Sequence, residues 1–72
     1  SAQKVLAAAH RLRSELRGKF SSKAHELEVV VDDVTWHLRN GDFGGELISA
    51  CNRAWKVVSD AEVLASRERN AA

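Results

Sequence analysis

The sequence predicts an all-α fold, a small up-down-up antiparallel three-helix bundle, completed within one chain or by dimerisation. Three observations carry this. The 72 residues include no proline, only four glycines, and many Ala, Leu, Glu and Arg, which favour helix. Apolar residues recur at three- and four-residue spacing in three successive stretches. The breaks between the stretches are short, and short connections make neighbouring helices antiparallel.

The first helix is expected over about residues 3–17. Val5, Ala9, Leu12 and Leu16 form its apolar stripe, and Ala7-Ala8-Ala9 has the highest helix propensity. Gly18 is placed to close it as a left-handed C-cap, with Arg13 and Arg17 favourable to the helix dipole. In the turn that follows, Ser21 or Ser22 is expected to cap the second helix, and Phe20 to plug the end of the bundle.

The second helix, about residues 22–39, is the centre of the chain. Ala24, Leu27, Val31, Val34 and Leu38 give a 15-residue stripe, which Val30 widens. Three consecutive valines favour a strand locally, but no second strand run exists to pair with, and a lone strand leaves its backbone unbonded. Glu26 and Glu28 near its start suit the dipole, and Asn40-Gly41 ends it.

The third helix is expected over about residues 43–68, with Asp42 as N-cap and Phe43 at the bundle end. Gly44-Gly45 disfavours its first turn. A narrow polar stripe (Glu46, Ser49, Arg53, Lys56, Asp60) faces a wide apolar arc of Leu47, Ile48, Cys51, Ala54, Trp55, Val58, Ala61 and Ala65. Such an arc contacts at least two neighbours, and alanines at 50, 54, 61 and 65 permit close approach. Ser59 to Glu62 fits a capping box, yet one long helix is preferred. Residues 67–72 are expected to fray.

The chain reads as a single domain, 1–72, with a small core of marginal stability. One cysteine excludes an internal disulfide. No apolar run is long enough to span a bilayer and no signal-peptide pattern is present, so a cytoplasmic protein is the default expectation. The net charge of +1 hides a segregation. Residues 1–23 hold six cations against one carboxylate, and residues 24–50 hold six carboxylates against one cation. The simplest reading sets a basic and an acidic helix side by side; the other is a nucleic-acid surface.

No catalytic motif stands out, and a non-enzyme without metal or cofactor is expected. Cys51 falls on the apolar arc, where a thiol packs rather than reacts. Asp33 and His37 are four apart and offer two ligands where zinc wants three or four, so they read as a solvated pair. Asp32 and Asp33 point about 100° apart on a helix, unsuited to shared acid–base work. Gly41 to Gly45 lacks the flanking strand and lysine of a phosphate loop.

The sharpest feature is a second face on helix 2. Val29 and Trp36 are seven residues apart and about 200° round from the core stripe, rimmed by His25, Asp32 and Asp33. Aromatic anchors with polar rims are typical of interfaces. The expectation is an interaction module whose partner is another protein or a second copy, with Ile48 and Trp55 extending the apolar seam. Against this stands an intramolecular role for Trp36 as a lid on Phe43 or Phe20, and for Trp55 in the core. The alternative function is a nucleic-acid-binding regulator using Lys4, Arg11, Arg13, Arg17 and Lys19, although these residues straddle the stripe of helix 1.

Overall fold

The computed structural model describes residues 1–41 and 44–71. They form three helices, α1 (Ala2–Leu16), α2 (Ser21–Arg39) and α3 (Gly45–Ala71), each packed against the other two. Ion pairs fix the directions. Arg11 meets Glu62 and Lys19 meets Glu68, so α1 and α3 run the same way. The Asp33–Arg53 pair joins the second half of α2 to the first half of α3, as an antiparallel neighbour requires. The result is an up-down-up bundle, 42 × 16 × 15 Å, whose long axis is that of α3.

The core follows the stripes. Val5, Ala9, Leu12 and Leu16 of α1 and Ala24, Leu27, Val30 and Val34 of α2 are buried. From α3 come Ala50, Ala54, Val58, Ala61 and Ala65, so larger side chains of two helices close onto a seam of alanines on the third. Val31 and Leu38 are only partly buried, packed against the cluster, and His37 is buried in their stead. The reason is angular: His37 follows Val30 by seven residues and so shares its side of α2, which faces α3.

The helix ends depart from expectation at several points. Gly18 is not left-handed; α1 passes through Arg17 in right-handed geometry, and the Phe20 amide donates to the Leu16 carbonyl at 2.8 Å. Gly41 does adopt a positive φ, +68°, while Asn40 ends α2 at φ −90°. Neither Ser21 nor Ser22 caps α2, because both lie inside it; Phe20 holds the cap position without a side-chain bond and packs on the core at the bundle end. Glu26 and Glu28 fall beyond the first turn of α2, too far in to satisfy its end. Ser1 caps α1 by accepting from the Lys4 amide. The expected roles of Asp42 and Phe43 lie outside the described residues. Helix α3 runs unbroken past Ser59, and residues 67–71 remain helical, with Arg69 tied to Glu15 of α1 and Glu68 to Lys19 in the turn after it.

Candidate functional site

His25, Val29, Asp32 and Trp36 sit at i, i+4, i+7 and i+11, and the structure brings them together as one exposed strip on the outer face of α2. Trp36 keeps 60% of its surface exposed and Val29 51%. The indole meets the His37 ring edge-on, with centroids 5.1 Å apart and planes at 87°. Trp36 cannot shield Phe20, which lies about 24 Å away along the helix at 1.5 Å per residue. Contact with Phe43 lies outside the described residues.

Asp33 leaves this strip. Its Oδ2 accepts from Nε and an Nη of Arg53 at 3.3 and 2.9 Å, and its Oδ1 stands 3.6 Å from His37 Nε2. The Asp33–His37 couple is therefore not the solvated pair that its spacing suggests. It is a clasp between α2 and α3, with its histidine buried and its carboxylate partly covered.

Ile48 and Trp55 do not extend the α2 strip. They are seven residues apart on α3, but Trp55 lies about 200° of helix rotation from Arg53, which faces α2. Trp55 thus turns toward α1. It is not a core residue: at 38% exposure it walls an open groove of about 660 Å³ between α1 and α3. Ala8, Val58 and Val63 supply much of the apolar lining, with Arg11 and Glu62 on the rim. Sequence reasoning placed Val63 in no surface, yet it is half exposed beside this groove. Its signal was available: Val63 lies outside the apolar arc of α3. The wide arc misled for Trp55 because two small helices cannot cover all of it. Cys51 is half-buried against the core.

The basic residues divide. Arg11 and Lys4 lie on the α3 flank of α1, whereas Arg13 and Arg17 border α2. Arg11 pairs with Glu15 and Glu62, and Lys19 donates to Glu68 at 2.9 Å. The basic α1 does lie against the acidic α2, but the ion pairs that neutralise Arg11 and Lys19 run to α3. Among the described residues, Arg13 and Arg17 have no ion-pair partner, and they share a hollow of about 340 Å³ with Ser21, Ala24, His25 and Glu28. Arg13 Nε is buried with no hydrogen-bond acceptor among those residues. An unmet buried donor costs about 1–3 kcal/mol.

Among the described residues, no group of three or more His, Cys, Asp or Glu side chains is arranged to hold a metal ion, and no helix is long and apolar enough to cross a membrane. Comparison of the chain with protein-family models, curated proteins and solved structures finds no match.

Proposed function

We propose that the chain is a non-enzymatic helical interaction module, in the manner of a small regulator or adaptor, whose partner is another protein or a second copy of itself. The observation that carries this is Trp36. It stands on the outer face of α2, 60% exposed and edge-on to His37, with Val29 two turns away and His25 and Asp32 beside them. Leaving a large aromatic in water forgoes its burial energy, and burying it against a partner recovers that energy. The groove beside Trp55 is a second apolar surface on a different side, so the module has two separate faces. A second copy is the simplest partner, since symmetric dimers are the commonest assembly and would enlarge a small core. The five basic residues give the nucleic-acid reading less support, because they are split between two flanks.

The test is solution mass by light scattering across protein concentration at two salt levels, for the wild type, Trp36→Ala and Trp55→Ala. Self-association that is lost in one variant assigns that face to the dimer. A monomer at all concentrations assigns the faces to another protein, and Trp36→Ala then abolishes its capture. If both variants stay folded and change neither mass nor partner affinity, the proposal fails.

A further inference from the structure

We propose that the hollow between α1 and α2 binds a phosphate monoester group. Arg13 and Arg17 stand one turn apart on α1, and Ser21 and His25 of α2 line the same space of about 340 Å³. Four other cations are held by carboxylates of another segment: Arg11 by Glu62, Lys19 by Glu68, Arg53 by Asp33 and Arg69 by Glu15. The fold leaves these two guanidiniums without an ion pair among the described residues, and it holds Arg13 Nε out of water with no acceptor there.

The donors define the ligand. Two guanidinium forks, a hydroxyl and an imidazole surround one small space, and a guanidinium fork matches two oxygens of an oxyanion at once. A phosphate monoester brings three acceptor oxygens and a charge of about −1.5 to −2 at pH 7. A carboxylate brings two oxygens and one charge, so it draws less from the same two guanidiniums, and the Glu28 carboxylate in the lining opposes either anion. The site is a pit for one group rather than a track for a polyanion. Lys4 lies on the far flank of α1 with Arg11, and Arg11 is engaged with Glu15 and Glu62. The same donors read the phosphate free or on a larger molecule, and this site does not depend on the apolar faces for its chemistry.

The experiment is an NMR titration of the ¹⁵N-labelled chain with inorganic phosphate at pH 7, ionic strength held constant with sodium chloride. O-Phosphoserine and serine are run as separate arms. The expected result is a saturable shift of the Arg13 and Arg17 Nε–H signals and the Ser21 to His25 amides, at about millimolar affinity. O-Phosphoserine should reproduce it and serine should not. Arg17→Gln, an exposed position, should weaken binding about tenfold or more, the scale of one charge-assisted hydrogen bond. Glu28→Gln should tighten it, and Trp36→Ala should leave it unchanged, which separates this outcome from that of the interaction module. Shifts that never saturate, equal shifts at Lys4 and Arg39, or affinities indifferent to both Arg17→Gln and Glu28→Gln would overturn the assignment. So would single-stranded RNA that binds with steep salt dependence and moves Lys4 and Arg11 together with the hollow, since the surface would then be a polyanion track.

Discussion

Ala61 is fully buried at 0% exposure, in the seam where α3 meets the leucines and valines of α1 and α2. Ala61→Leu adds three heavy atoms to a side chain that has no free space around it. The gain from burying more carbon is available only if the helices separate, and separation uncovers Leu12, Leu27 and Val34, which are now fully buried. Overpacking of this kind costs about 1–3 kcal/mol. A 72-residue domain has about 4–11 kcal/mol of stability in total, at roughly 0.05–0.15 kcal/mol per residue. Its unfolding entropy is about 0.15 kcal/mol/K, so each kcal/mol moves the midpoint by roughly 7 °C. Ala61→Leu should therefore lower Tm by about 7–20 °C, read by circular dichroism at 222 nm. Ala7→Leu, on the exposed face of α1, is the control and should stay within about 0.5 kcal/mol of wild type. A Tm for Ala61→Leu at or above wild type would refute the close-packed alanine seam.

Gly18 and Gly41, each just beyond a helix end, should respond in opposite directions. Gly41→Ala forces a side chain into φ +68° and should destabilise by about 1 kcal/mol, whereas Gly18→Ala, with ordinary φ and nothing within 4 Å, should stabilise by about 0.4–1 kcal/mol; urea midpoints compare them. Trp36→Ala should leave Tm within about 0.5 kcal/mol of wild type, because its indole is mostly exposed, and a large loss of stability would mean that it is a lid after all. Asp33→Ala and Arg53→Ala should show a double-mutant coupling of about 0.2–1 kcal/mol, because Arg53 is more than half exposed; a coupling of zero would remove the clasp between α2 and α3.

Much of this fold was legible from residue spacing. The stripes of α1 and α2 name most of their core, and the spacing of the alanines at 50, 54, 61 and 65 marks a surface for close approach. A strip's exposure on α2 was legible for the same reason: His25, Val29, Asp32 and Trp36 share one side of a helix whose other side is filled. These are properties of a single helix, and helical geometry fixes them residue by residue.

What lies between helices was decided only by packing. Nothing in the spacing of α2 says which flank meets α3, so it could not show that His37 would be buried and Asp33 drawn from the Trp36 rim to Arg53. The order of the bundle puts Arg11 and Lys19 against carboxylates of α3 and leaves Arg13 and Arg17 facing α2. It also turns Trp55 toward α1, on the edge of a groove that two short helices cannot fill. The sequence determined which face of each helix is apolar; the rotation of each helix against its neighbours determined which polar groups became partners and which apolar ones stayed open, because those choices depend on three surfaces meeting at once.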